Sequence, residues 1–431
     1  MQCTYRALFF EKHRAIDAFC SVWGTSSFMT ISSAKPLAGT RVIELGELIA
    51  GPFVGTLLAD NGAEVIKIER PGRGDVLRQF GPIVDGTSAF WQVNSRNKKS
   101  VVLDITHDGG LAILRDLIKS SDVLIDSLRP GVLDKIALSD QALRSLNPRL
   151  IVVHVSAFGR VGPNSRRGGY DPVAQGFCGL SNLTGERDGP PMRAGGAVPV
   201  CDFMTGLLGA FGAVLALHQR NGGMDPVPSV DVALYDVAFK MIAPLISYYE
   251  ATGKAWQRDG NHSLGGAPTG HFMTADDKWI CLSVQNDEQF ARCAGLVDRP
   301  DWVSDGRFAT LSGRTAHRDE IEAWVSSWIR ERDRATVIAA FESKSLGVGP
   351  IQSIEDMASN EHLSARDLKL VEDPVLGSVR MPRTLPINPN AENQTPAPVL
   401  GEHTRQVLSE VLGYSAEAIA QMIGHGHAAS A

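Results

Sequence analysis

Short runs of β-branched and aliphatic residues recur along the first 160 positions, and the stretches between them show apolar residues at helical spacing. The runs are Arg41-Val-Ile-Glu-Leu45, Glu64-Val-Ile-Lys-Ile68, Ser100-Val-Val-Leu103, Asp122-Val-Leu-Ile125 and Leu150-Ile-Val-Val-His-Val155. Between them Leu111, Leu114, Leu117 and Ile118 fall on one helical face, and Ser139 stands where an N-cap would precede Leu143 and Leu146. Strands this continuously apolar are buried on both faces, and their alternation with helices predicts an α/β fold with a doubly wound parallel sheet. In such a sheet, ligands bind outside the carboxyl ends of the strands, near the point where strand order reverses.

Two longer helical patterns follow, over roughly 202–220 and 229–250. The first is dominated by Gly206, Gly209, Ala210, Gly212, Ala213 and Ala216, so it must approach other backbone closely. A turn, Arg220-Asn-Gly-Gly-Met-Asp-Pro-Val-Pro228, separates them. A second, smaller α+β unit is expected over 255–345, with a hairpin-like region through Trp279–Val284 and helices near 287–296 and 315–343. Beyond Gly347 the chain reads as Pro-rich and irregular until a helix from Thr404, so 346–431 is a long connection returning to the first domain. On this division 36–225 is the N-terminal part of the large domain, 226–254 a linker helix, and 1–35 an extension in which Met29 is a candidate start.

Composition narrows the function. The 431 residues include 42 basic and 48 acidic side chains, a net charge of −6, which disfavours nonspecific binding to nucleic acid or anionic membranes. An anionic ligand therefore needs a local basic site. The six cysteines, Cys3, Cys20, Cys178, Cys201, Cys281 and Cys293, form no C-x-x-C pair and suit a reduced, cytoplasmic protein; eleven scattered histidines show no metal spacing. No window approaches the ~18 uninterrupted apolar residues of a membrane span. Arg70, Arg73, Arg78, Arg96, Lys98 and Lys99 crowd the region after the second strand, as a phosphate-capturing cluster or as a solvated face.

Candidate chemistry centres on three carboxylates in and beside a Gly/Pro-rich stretch. Asp171 lies in Gly169-Tyr-Asp-Pro-Val-Ala-Gln175, Asp188 in Arg187-Asp-Gly-Pro-Pro191, and Asp202 in Pro199-Val-Cys-Asp-Phe203. A nucleophilic carboxylate must be ionised and open to a cleft, and a helix N-terminus would hold Asp202 in that form. The competing reading of Asp202 is a plain N-cap worth ~1 kcal/mol. Asp188 reads as a turn residue, and Asp171 as the N-cap of a helix begun by Pro172. The turn Gly46-Glu-Leu-Ile-Ala-Gly-Pro52 offers helix N–H groups to an anion or is an ordinary strand–helix turn. The loop Asn261–Gly270 either closes over a ligand or is a linker. G-x-G-x-x-G, a P-loop and a G-x-S-x-G elbow are all missing.

These motifs in this order resemble the class III CoA-transferase family, which includes formyl-CoA transferase, carnitine CoA-transferase and α-methylacyl-CoA racemases. The pieces that match are Ala50-Gly-Pro52, Gly62-Ala-x-Val-Ile-Lys-x-Glu69, Asn97-Lys-Lys-Ser-Val-x-Leu-Asp104, Arg129-Pro-Gly131, Asn147-Pro-Arg-Leu-Ile151, Ser156-Ala-Phe-Gly159, Gly266-Ala-Pro-x-Gly270 and Ala397-Pro-x-Leu-Gly-Glu-His-Thr404. The resemblance implies a Rossmann-like large domain built from both chain ends, a smaller domain, and an interlocked homodimer. It implies acyl-CoA as a substrate rather than a tightly bound cofactor, a small carboxylic or dicarboxylic acid as acceptor, and succinyl-CoA as a possible donor. By position the family's nucleophilic aspartate falls on Asp202, which would form a mixed anhydride and then an aspartyl-CoA thioester. CoA contacts would fall on Ile49, Ala50, Arg70, Leu103, Lys135, Tyr170 and Asp171, and the family's glycine loop on Gly265 and Gly266. Ile49, Thr106 and Gly168 replace a glutamine and two lysines of formyl-CoA transferase. Tyr170 replaces the histidine base of the racemases, and a phenol of pKa ≈ 10 is a poor base near neutrality. Racemisation and a noncatalytic acyl-CoA-binding role are the alternatives to transfer.

Overall fold

A computed structural model describes residues 35–224, 229–262, 265–384, 386 and 394–431. The N-terminal extension with Met29, the end of the turn before residue 229, and residues 263–264 of the Asn261–Gly270 loop lie outside the described residues. All five strands read from the sequence form: β1 (Arg41–Leu45), β2 (Glu64–Glu69), β3 (Lys98–Leu103), β4 (Val123–Asp126) and β5 (Ile151–Ser156). They join β6 (Ser229–Ala233) in parallel, in the order β3-β2-β1-β4-β5-β6, and β7 (Ala428–Ala429) adds antiparallel to the outer edge of β3. This is the dinucleotide-fold order, and it reverses between β1 and β4.

Residues alternate strictly between two cores. Val42, Val65, Val123, Ile125 and Val153 face helices α1 (Ala50–Asp60) and α3 (Val200–Asn221). Ile43, Ile66, Val101, Leu124 and Val152 face the helices Asp108–Lys119, Asp140–Leu146, Thr404–Glu410 and Ala416–Gly424. Ser139 caps the second of these, its hydroxyl accepting from the Ala142 N–H.

The glycines of α3 do what their spacing requires. A Cβ on Gly206 would meet Phe53 at 2.7 Å, one on Gly209 would meet Val54 at 2.8 Å, and one on Gly212 would meet Val230 at 2.6 Å. α3 thus lies directly on α1 and β6. By length and composition it is also apolar enough to cross a bilayer, but Cys201, Ala210, Ala213, Ala216 and Leu217 are buried in the sheet-facing core.

The helical pattern read over 229–250 starts differently in the structure. Ser229-Val-Asp-Val-Ala233 alternates at period two and completes the parallel sheet, and the helix α4 runs only over Asp236–Thr252. The stretch after Gly347 is also more regular than its prolines suggest. Gly347–Pro350 pairs with Trp279–Ser283, which pairs with Thr269–Met273, around a separate core of Phe272, Phe290, Trp302, Phe308 and Phe341. A capping box of Ser353 and Asp356 starts the helix Ile354–Ser359, and Leu368–Asp373 hairpins with Gly377–Pro382. Helix Asp287–Leu296 stands where read, whereas the 315–343 pattern divides into Leu311–Ala316, Arg318–Arg330 and Arg334–Ser343.

Candidate active site

At the switch point, the turn from β1 into α1 is built around Ser127. Gly46 and Gly51 both face its side chain, and a Cβ on either would collide with the hydroxyl. Leu48 is held in the left-handed region at φ 69°, a strain of about 1–3 kcal/mol. Its N–H donates to Asp75 Oδ1 at 3.0 Å, and Asp75 Oδ2 pairs with Lys67 at 2.7 Å. α1 begins after Ile49 without a side-chain cap. Below this turn opens a cleft of about 430 Å³ whose lining includes Gly46, Glu47, Arg70, Leu103, Thr106 and Leu128. Arg70 and Leu103 are therefore brought together. The Arg70 side chain is 63% exposed and stands 3.2 Å from Glu47. Lys135 lines an adjoining cleft of about 500 Å³ that shares Leu128 with the first.

Asp202 occupies the third position of α3, with Pro199 at the N-cap, so it is not the cap. Nor does Asp171 cap its own helix, α2 (Asp171–Phe177). Its Oδ1 accepts instead from the Cys201 N–H at 2.8 Å, across in the first turn of α3. The other oxygen accepts from Gln175 Nε2 at 2.8 Å and Arg193 Nη2 at 3.1 Å. Asp171 is thus a buried brace whose charge sits beside Asp202. Asp202 itself has no hydrogen-bond or ion-pair partner among the described residues.

Burial, and then the charge of Asp171, push the Asp202 carboxyl up from 3.8 to about 7. The expectation that a helix end would keep it fully ionised is overturned, because withdrawal from water and a like charge outweigh the partial charge of the helix. The neighbouring Cys201 thiol is pushed up to about 12, by burial and then by Asp171, Cys178 and Asp202, and stays protonated. It offers no competing nucleophile.

Phe203 ties this carboxylate to the switch-point turn. Its ring meets Phe53 edge-on at 4.9 Å and shares a small apolar cluster with Ile49, while Gly206 lies against the Ala50 carbonyl. Tyr170, 60% exposed, precedes Asp171. Ile49, Ala50, Tyr170, Asp171 and Asp202 therefore form one neighbourhood, with Arg70, Leu103 and Lys135 farther along the carboxyl edge of the sheet. Gly265 and Gly266 lie just before the strand Thr269–Met273; Gly266 has φ 99° and sits against the Val284 carbonyl. No described contact joins them to Asp202. Asp188 is an exposed turn residue, as expected.

Most of the basic crowd read as a phosphate site is spent internally. Arg78 pairs with Glu69, Arg96 with Asp60, Lys98 with Glu44 and Lys99 with Glu64. Arg70 pairs with Glu47 but stays largely exposed, and Arg73 is exposed as well. The sequence reading passed over three features: Ser127, Arg193 and the buried network of Glu44, Lys67 and Asp75. For the last, a signal was present, since charges embedded in apolar parallel strands must find partners indoors.

Comparison with known proteins accords with this geometry. CoA-transferase family III matches residues 37–404. The chain is 34% identical over 394 residues to succinyl-CoA–D-citramalate CoA-transferase of Chloroflexus aurantiacus, covering 90% of this chain and 97% of that protein. It is 36% identical over 387 residues to succinate–glutarate CoA-transferase of Agrobacterium fabrum, covering 87% and 96%. Its fold is similar to the crystal structure of a CAIB/BAIF family protein from Brucella suis, with a TM-score of 0.76 at 32% identity, covering 88% of this chain and 100% of that one. The similarity runs through both units and across the switch-point turn, Asp171 and Asp202 alike, and on that basis the protein belongs to CoA-transferase family III.

Proposed function

We propose that this CoA-transferase moves CoA from an acyl-CoA, with succinyl-CoA the favoured donor, to a small dicarboxylic acid, using Asp202 as covalent carrier. The observation that carries this reading is a carboxylate without a partner among the described residues, on a helix turn that Asp171 braces through the Cys201 N–H beside the start of α1. An Asp202 oxygen attacks the thioester carbonyl, expels CoA thiolate and forms a mixed anhydride. The thiolate then attacks the aspartyl carbonyl, releasing the donor acid and leaving an aspartyl-CoA thioester. The acceptor carboxylate attacks that thioester and expels the thiolate, giving a second anhydride. Attack of the thiolate on the acceptor acyl carbon releases the new acyl-CoA and frees Asp202. No net proton is consumed, so the protein's contribution is to orient groups and exclude water. The relatives named for succinyl-CoA, citramalate and glutarate support the substrate class.

In this reading Arg70 and Leu103 receive the nucleotide end of CoA in the switch-point cleft. Ile49, Ala50, Lys135 and Tyr170 guide the pantetheine toward Asp202, and Gly265 and Gly266 supply a small-residue loop. A homodimer also belongs to the proposal. α4 buries only Ala238 within the chain while exposing Phe239, Met241, Ile246, Tyr248 and Tyr249, and α3 exposes Leu207, Phe211 and Leu215 nearby. An interlocking second copy would cover these faces.

Incubation with succinyl-CoA followed by hydroxylamine should leave a hydroxamate at Asp202, read by peptide mass spectrometry. Turnover with label at another residue, or at none, removes Asp202 from the pathway. Because the carboxyl titrates at about 7, the rate of CoA release on acylation should rise through neutrality and level off above pH 8. Asp171→Asn preserves the acceptor for the Cys201 N–H and removes the like charge, so it should move that midpoint to lower pH. A flat profile in the native protein contradicts the assignment.

A further inference from the structure

We infer that Arg193 is the specificity-determining residue for dicarboxylic acids, binding the carboxylate that does not react; this rests on Asp202 being the acyl carrier. Bringing an anionic acceptor to Asp202 places it near a second buried carboxylate, Asp171, and no cation is among the groups that act on Asp202. A diacid adds one negative charge more. The cation at hand is Arg193, whose guanidinium uses Nη2 on Asp171 and makes no other hydrogen bond among the described residues. Its side chain is 42% exposed, and the unused N–H donors form a fork suited to a carboxylate.

The position is rigidly built. Fully buried Gln175 accepts from the Ala194 N–H at 2.9 Å and donates to the Ala194 carbonyl at 3.3 Å. Met192 N–H donates to the Thr184 carbonyl at 2.9 Å, and Arg258 holds the Gly189 carbonyl through Nε at 2.9 Å and Nη2 at 2.7 Å. The other guanidiniums of this region are committed: Arg187 to Asp259, and Arg258 to the carbonyls of Gly189 and Asn182. Arg193 thus stands braced against Asp171, whose other oxygen is held by the N–H of Cys201, the residue before Asp202.

The test uses propionyl-CoA as donor and compares succinate with butyrate, and glutarate with valerate, in the native protein, Arg193→Met and Arg193→Lys. A charge-assisted bidentate contact predicts that the ratio of kcat/KM for diacid over monoacid falls roughly 100-fold in Arg193→Met, through the acceptor KM. In Arg193→Lys, which retains the charge without the fork, it falls roughly 10-fold, and this variant decides the matter alone if Arg193→Met does not fold. The pH midpoint for monoacid transfer stays in place. Equal losses for diacids and monoacids, or a displaced midpoint with the ratio unchanged, would reduce Arg193 to a support for Asp171 and overturn the inference. A native protein that transfers CoA without hydroxamate at Asp202 overturns both the carrier reading and the inference. An unchanged ratio with Asp202 labelled overturns the assignment of Arg193 alone.

Discussion

Asp202→Asn is expected to lower CoA transfer by roughly 10⁴-fold or more, the scale seen when a covalent nucleophile is removed. The amide matches the carboxylate in shape, so the fold and the switch-point cleft, lined by other residues, should bind CoA with nearly native affinity. The same substitution should stabilise the protein above neutrality. The folded carboxyl holds its proton up to about 7, against 3.8 when unperturbed, so between those values the folded state binds more protons than the unfolded one. Stability contributed by the neutral form is therefore fully present below the lower value and is lost as pH rises through the higher one, at most about 4 kcal/mol in all. Denaturation of native and variant proteins at pH 5 and pH 8 measures this. Asp202→Asn should gain most at pH 8 and little at acid pH. A variant that loses activity but gains nothing at pH 8 would place the Asp202 carboxyl in water rather than in a confined site.

How far this site could be read from the chain depends on whether its parts are local. The parallel strands were legible because each is a self-contained apolar run, and the close packing of α3 followed from its Gly and Ala positions. β6 was hidden because Ser229–Ala233 runs directly into the apolar stretch of α4, and its pairing with β5 is a long-range event. Asp202 stood out through the Gly/Pro-rich segment before it. Its raised pKa was not legible, since that depends first on burial in the folded chain and then on Asp171, which reaches from another helix to the Cys201 N–H. Arg193 was visible in the same segment, but nothing local indicates that its guanidinium turns back onto Asp171 while Gln175 fixes the backbone next to it. The basic cluster shows the converse failure: six basic residues near one another in sequence diverge onto different faces of strands and helices, where most find carboxylates.

The largest stability effect is expected at Lys67, which lies wholly buried beneath the switch-point turn. Its ammonium meets Glu44 at 2.8 Å, Asp75 at 2.7 Å and the Gly46 carbonyl at 3.0 Å, and Lys98 adds a second contact to Glu44 at 2.9 Å. Burial alone would lower the Lys67 pKa, but Asp75, Glu44 and Glu69 raise it above the ordinary lysine value, so the group is charged at every working pH. The same burial opposes Asp75, whose carboxyl is nevertheless held low by Lys67 and by the N–H groups of Leu48 and Leu77. Lys67→Met would strand the Asp75 carboxylate indoors without a cation and leave Glu44 to Lys98 alone, at a cost of about 3–5 kcal/mol for a buried pair broken on one side. Asp75→Asn added to that variant should recover part of the loss, because it removes one stranded charge while its amide oxygen still accepts from the Leu48 N–H. Urea denaturation of the native, single and double variants gives the coupling directly. Since Asp75 holds Leu48 in its strained conformation, CoA affinity should fall with stability in Lys67→Met and return with it in the double variant. A loss below about 1 kcal/mol in Lys67→Met would show that water reaches Glu44 and Asp75, and the switch-point turn would then owe its shape to the glycines about Ser127 instead.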